Sequence, residues 1–369
     1  METRFTNASL FTEDGFVRGT LSVRDGFIVS DCGGEEIDCE GGYLLPGLLD
    51  IHIHGAAGVE FCDSDSLGRM AEHLITCGVT GFCPTSVSRP EEELLAGYEA
   101  FRAYEEIPHP GLSQTLGVNM EGPFLSEERR GAHKKKYLCE PSMELFLKLF
   151  HASGERIAVV SVAPELPGAL EFAEAAHDFC AVSAAHSAAD YDRAEAFYRS
   201  GATLLTHLYN GMAPLCSREP GLMAAAHDKA QYVTLICDGY HVSPPAVRAA
   251  FHLFEGRVVL ISDGMAALGM PDGDYTLGEL AVNVADRRAT LRDGTLAGGA
   301  TDLLRCVQNA VRFGIPLWEA VAAATMNPAK AIGRFEKIGS LEVGKAADLV
   351  LLRPDLTLSR VYLAGERVV

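Results

Sequence analysis

The chain has 369 residues, enough for one large α/β barrel with a small accessory domain and for a sizeable buried core. Its 50 acidic residues outnumber 31 basic ones, and the net charge of -19 argues against nucleic acid and anionic membranes as partners. Any anionic substrate must therefore be met by local cations. No apolar run reaches the roughly 18 residues a membrane span needs, and the N-terminus METRFTNASLFTEDG has scattered charges and no apolar signal core, so a cytoplasmic protein is expected. The ten cysteines are scattered singly and never as CxxC, which reads as reduced, small hydrophobes.

From Met1 to about Tyr43 the chain alternates in short segments broken by Asp-Gly pairs, which is hairpin chemistry. The C-terminal stretch KIGSLEVGKAADLVLLRPDLTLSRVYLAGERVV alternates too, and it turns at Gly344, Pro354 and Gly365. The two ends, residues 1–43 and 337–369, are expected to pair into one small β-sandwich domain, with residues 44–336 inserted between them. In that middle, LLDIHIH, GVTGFCPTS, TLGVNMEGP, IAVVSVAPE, CAVSAAHS, ATLLTHLYN, YVTLICDG and RVVLISDG read as strands separated by helical stretches. Eight such alternations predict a closed (β/α)8 TIM-like barrel, whose functional groups gather at the C-terminal strand ends. Residues Tyr275 to Gly299 read as a β-hairpin in the connection after the eighth strand.

The polar residues at those ends are His52 and His54 on the first strand, Glu121 on the third, His186 on the fifth, His207 on the sixth and Asp263 on the eighth. Alternation puts His52 and His54 on one side of their strand, with Ile51 and Ile53 on the other. Taken singly, each has a plain reading as a core histidine, a cap or a turn residue. Five strand ends delivering imidazole or carboxylate to one rim read together as a metal constellation. A metal that lowers the pKa of bound water supplies a nucleophile for hydrolysis, and a carboxylate such as Asp263 can move its proton. The run Arg129, Arg130, His133, Lys134, Lys135 and Lys136 is a dense basic patch, either a steering element for an anion or a solvated loop.

In order along nearly the whole chain, PGLLDIHIHG, MEGPF, AAHS, THLYNGM, CDGYHV, ISDGM, LAGG, MNPAKAIG and GSLEVGKAADLV resemble the N-acetylglucosamine-6-phosphate deacetylase family of the amidohydrolase superfamily. The HxH pair is common to the superfamily; MEGPF followed by GAH, and THLYNGM followed by SREPG, are much more specific. The resemblance implies hydrolysis of the N-acetyl group of an amino-sugar 6-phosphate, with one or two divalent cations per subunit, zinc or iron first. It implies Glu121, His186 and His207 as principal ligands, and His52 and His54 as holders of a second position. It implies Asp263 as the catalytic carboxylate and His133 as the group that polarises the amide carbonyl. It further implies Ala132, Asn210, Gly211, Arg218, His241, Leu296, Ala297 and Gly298 as sugar-phosphate contacts, in a homodimer where Arg218 reaches the neighbouring subunit's site. Three positions depart from the family pattern: Gly299 where Ser is common, and Gly264 and Gly211 where Ala is usual.

Two other readings compete. A cyclic amidohydrolase of the dihydroorotase kind shares the barrel, the HxH and the final Asp, but carries a metal-bridging lysine on the fourth strand, and Ile157 to Glu165 contains none. A catalytically dead barrel kept as an assembly scaffold predicts lost ligands, and none is lost.

Overall fold

The computed structural model describes residues 2–63 and 65–369. Its centre is a barrel of parallel strands, Leu48–Ile53, Val79–Ser86, Val118–Glu121, Ile157–Val162, Ala181–Ala184, Leu204–Leu205, Tyr232–Ile236 and Val258–Ile261, each followed by a helix before the next strand or, last, by Leu303–Arg312. Neighbours pair in chain order. The eighth strand closes on the first through a parallel bridge between Ile53 and Gly264, with Asp263 N donating to His52 O at 3.1 Å and His54 N to Gly264 O at 2.7 Å. Helices cover the outside, so the strands are buried on both faces, which is why they read as continuous apolar runs rather than as alternation.

Leu49, Ile51, Val159, Ile236, Val259 and Ile261 fill the barrel interior, capped from below by Ala329 and Ala331. Ile53 packs instead with the outer layer, among Leu67, Met70 and Leu74 of the first helix. The sequence expectation that Ile51 and Ile53 share a face is therefore corrected. Pairing slips between Asp50 and Ile53, where Ile53 N donates to the Thr85 hydroxyl at 2.9 Å instead of following the strand ladder.

The two chain ends do pair. Tyr43–Pro46 lies antiparallel to Leu349–Leu352, inside one eight-stranded sheet built from residues 2–46 and 349–367. This sandwich is a single sheet folded over Phe5, Leu21, Ile28, Leu349 and Tyr362, with the Phe5 and Tyr362 rings edge to face at 4.9 Å. The Asp25-Gly26 turn has φ of 51° and 85°, the pair of positive values a two-residue hairpin of this hand requires.

The connection after the eighth strand forms three antiparallel strands, Gly273–Leu277, Leu280–Ala285 and Arg288–Thr290, rather than one hairpin from Tyr275 to Gly299. We call this the mouth sheet. Its apolar face, Leu277, Val282, Val284 and Ala289, packs on Val87, Met265 and Ala297, and residues 291–299 return to the barrel mouth. Buried Glu60 accepts Gly278 N at 2.8 Å and the Thr276 hydroxyl at 3.2 Å, and Arg89 bonds the same carboxylate at 2.6 Å. Among the described residues no helix is long and apolar enough to cross a membrane.

Gly47 is the joint between folded sheet and barrel. Its N–H donates to Asp348 O at 2.8 Å, and a Cβ there would overlap the buried Thr80 side chain. Gly47→Ala is expected to cost about 1–3 kcal/mol through overpacking, read as a lower urea midpoint at unchanged slope. An unmoved midpoint would mean that the joint opens freely.

Candidate metal centre and its pocket

His186, His207 and Asp263 end their strands at φ of 43°, 30° and 50°, the left-handed region that costs non-glycine residues energy and collects at functional sites. Each turn brings a side chain over the barrel mouth, where they meet the buried Glu121. Glu121 Oε1 lies 3.3 Å from His186 Nε2 and 3.0 Å from His207 Nε2, and these two nitrogens are 3.1 Å apart. On its other side, Glu121 Oε2 lies 3.4 Å from His52 Nε2 and 3.2 Å from His54 Nε2. Those nitrogens are 3.3 Å apart, and Asp263 Oδ1 is 3.2 Å from both.

Imidazole nitrogens this close repel if both present lone pairs, and the tautomers make them do so. His186 Nδ1 donates to Arg129 O at 2.8 Å, His207 Nδ1 to Asn210 O at 3.2 Å and His54 Nδ1 to Thr85 O at 3.2 Å. A carbonyl oxygen only accepts, so each Nε2 is left with its lone pair facing the cluster. A tetrahedral cation with bonds of about 2.0–2.1 Å has ligand atoms roughly 3.3 Å apart, which is the spacing found on both sides of Glu121. The donor set therefore fits a divalent cation against each carboxylate oxygen.

Electrostatics agree with the geometry. Burial disfavours charge on His52 and His54, yet Glu121 and Asp263 overcome it and hold them at about 9 and about 10. Burial likewise works against the Glu121 and Asp263 carboxylates, and the surrounding imidazoles keep both well below the ordinary range. Protons held on His52 and His54 thus balance the two buried carboxylates, and a cation bound there would take the place of those protons.

His133 differs from the other histidines. Ser88 N–H donates to its Nδ1 at 3.2 Å, which makes Nδ1 an acceptor and puts the ring proton on Nε2, 3.5 Å from Glu121 Oε2. Burial pushes it down to about 4, so it is a neutral donor aimed into the site. His241 faces the same space from the seventh strand's loop. Its Nδ1 donates to Asp238 at 2.7 Å, and the Asp238 carboxylate outweighs burial to raise its pKa.

These groups surround a cavity of about 420 Å³. Of the residues singled out in the sequence, His54, Glu121, Ala132, His133, His186, His207, Asn210, Gly211, His241, Asp263, Leu296 and Gly298 line it. His52 lies behind it, 3.4 Å from Glu121 and 1% exposed. Ala297 does not reach the cavity; it is buried in the mouth sheet's apolar cluster, because backbone alternation sends it the opposite way from Leu296. Arg218 does not reach the cavity within this chain either: it lines a separate space of about 530 Å³ with Tyr191 and Pro214.

The basic run is largely neutralised. Lys134, Lys136 and the Tyr137 hydroxyl all meet Glu279, Lys135 pairs with Glu127 and Arg129 with Glu128. Sequence reasoning passed over Arg288 and Tyr209, which also line the cavity, and Asp238, which sets His241. The spacing of Asp238 three residues before His241 was a legible signal; the inward register of Arg288 was not. Two glycine departures have steric reasons: a Cβ on Gly211, at φ 61°, would come 2.8 Å from His186 Nδ1, and one on Gly299 would come 2.6 Å from Ser262 O.

The amidohydrolase family profile matches residues 43–368. An N-acetylglucosamine-6-phosphate deacetylase of Vibrio furnissii is 36% identical over 88% of this chain and 82% of its own length. An N-acetylgalactosamine-6-phosphate deacetylase of Escherichia coli O157:H7 is 34% identical over 97% of both chains. The crystal structure of N-acetylglucosamine-6-phosphate deacetylase from Pasteurella multocida superposes with a TM-score of 0.94 at 30% identity, covering 100% of this chain and 99% of that one. A carboxylate between two histidine groups on the third strand, a fourth strand without lysine and these likenesses lead to one assignment: the chain belongs to the amidohydrolase family, in its N-acetylglucosamine-6-phosphate deacetylase branch.

Proposed function

We propose that this chain hydrolyses the N-acetyl group of N-acetylglucosamine 6-phosphate, giving glucosamine 6-phosphate and acetate. The observation that carries the reading is Glu121 presenting one oxygen to His186 and His207 and the other to His52 and His54, with Asp263 at the edge of the cavity. Glu121, His186 and His207 would hold a divalent cation, which would supply Lewis acidity and a water of lowered pKa. His52 and His54 offer a second position, and the nitrogen and carboxylate donors suit zinc or iron.

Around that centre the side chains have separable tasks. Asp263 takes the proton of the attacking water and returns it to the departing amine. Neutral His133, with its proton on Nε2, donates to the amide oxygen as negative charge gathers there. Asn210, the Gly211 backbone and His241 hold the sugar phosphate, with Ala132, Leu296 and Gly298 shaping the wall and Ala297 supporting it from behind. Arg218 reaches the phosphate bound to the partner subunit of a homodimer, a reading supported by its place in a Pro- and Gly-bounded loop outside its own cavity. The ten free cysteines fit a reducing, cytoplasmic setting.

The direct test is elemental analysis of purified protein with acetate-release assays on N-acetylglucosamine 6-phosphate, its galactosamine epimer and the unphosphorylated sugar. The glucosamine phosphate is expected to be the best substrate; preference for the epimer would move the assignment to the galactosamine enzyme. Glu121→Gln is expected to lose metal and activity together, and full metal occupancy in that variant would remove Glu121 from the ligand set.

Asp263→Asn should keep metal at Glu121, His186 and His207, still bind the sugar phosphate, and lose on the order of a hundred- to ten-thousandfold in turnover. A variant within a few-fold of wild type would sink the proton-transfer role. For the dimer, inactive Arg218→Ala and Asp263→Asn chains are mixed, with exchange verified by mass spectrometry of tagged subunits. Each mixed dimer holds one whole site if Arg218 acts across the interface, so recovery approaches about a quarter of wild type. No recovery after proven exchange would place Arg218 in its own subunit's service.

A further inference from the structure

We infer that Arg288 is a second phosphate-binding cation, supplied within the subunit by the mouth sheet. This rests on the deacetylase reading above for the identity of the ligand, a sugar phosphate monoester. Arg288 lines the cavity over the metal donors, on the strand Arg288–Thr290. The next residue, Ala289, is buried in the sheet's apolar cluster, so strand alternation turns Arg288 to the opposite face. Lys134, Lys135 and Lys136 of the basic loop are each taken up by a carboxylate, but Arg288 has no ion pair or side-chain hydrogen bond among the described residues.

The Arg288 side chain is exposed, but the sheet that carries its backbone is held in place. Three contacts hold the mouth sheet: buried Glu60 takes the Gly278 turn, Glu279 takes the Lys134 to Tyr137 segment, and the Tyr240 hydroxyl donates to Asp286 O at 2.6 Å. The last contact matters most. Tyr240 adjoins His241 and Asp286 lies two residues before Arg288, so one hydrogen bond couples the loop carrying the imidazole to the turn carrying the guanidinium. A phosphate has more acceptor oxygens than His241 can serve, and a guanidinium fork matches two of them. The metal donors on the cavity floor give a neutral sugar no reason to require this arginine.

The test separates phosphate recognition from chemistry. Arg288→Ala is expected to raise KM for N-acetylglucosamine 6-phosphate about ten- to a hundredfold with kcat within a few-fold. The ratio of kcat/KM for the phosphorylated over the unphosphorylated sugar should fall by the same factor. Arg288→Lys should recover part of the loss, whereas Arg287→Ala, one residue away in the turn, should leave the ratio at its wild-type value. Calorimetry on metal-loaded protein compares glucosamine 6-phosphate with glucosamine, and the advantage of the phosphate should shrink in Arg288→Ala. An unchanged ratio and an unchanged calorimetric advantage would overturn the inference and leave Arg288 a solvated surface residue. If wild type releases acetate from neither sugar, the deacetylase reading fails by itself, and calorimetry alone decides whether Arg288 binds the phosphate.

Discussion

The carboxylate of Glu121 sits where imidazoles from three different strands converge, and this crowding is the constraint that the rest of the site satisfies. Buried lone pairs about 3 Å apart are costly unless a cation or a proton stands between them. The backbone carbonyls of Arg129, Asn210 and Thr85 fix which nitrogen carries each proton, and so leave the fold no neutral alternative. Even the glycines conform: Gly131 and Gly211 flank the His186 ring at positions where a side chain would press on it. The arrangement therefore suits a cation, and the backbone prepares it as much as the side chains do.

Much of this was legible in the chain. Strand runs ending in His, Glu or Asp place chemistry at one rim because parallel barrel strands all finish on the same face. That logic identified Glu121, His186, His207 and Asp263 without coordinates. It went astray at Ile53, because a register slip cannot be read from alternation; Ala297, named from the resemblance, turns away from the cavity that its neighbours Leu296 and Gly298 line. Arg288 escaped for a related reason: within DRRAT the direction of each side chain depends on where the turn falls, and Asp286 and Arg287 prove to be the turn residues, at φ of 50° and 64°. For the basic run the sequence left two readings open, and its acidic partners Glu127 and Glu279 become visible only once the mouth sheet is folded.

The cations proposed for the phosphate are few and separately mounted. His241 rides on a barrel loop braced by Asp238, Arg288 on the mouth sheet and Arg218 on a loop that leaves the barrel altogether. Mounting cations on separate elements lets an acidic protein attract one anion to one place without a broad positive surface.

The closing seam of the barrel runs through this same centre. Asp263 and His52 share a backbone hydrogen bond across it, and just beneath, Ser262 N–H reaches the buried Asp50 carboxylate between residues 212 apart in sequence. Joining positions so distant carries a large loss of chain entropy, repaid at the seam by a few backbone bonds. A cation bound by His52 and His54 on one edge and approached by Asp263 on the other would act as a rivet through the seam. By mass action it would then raise the cost of separating the first and last strands, so that metal supply and the mechanical integrity of the barrel become one variable.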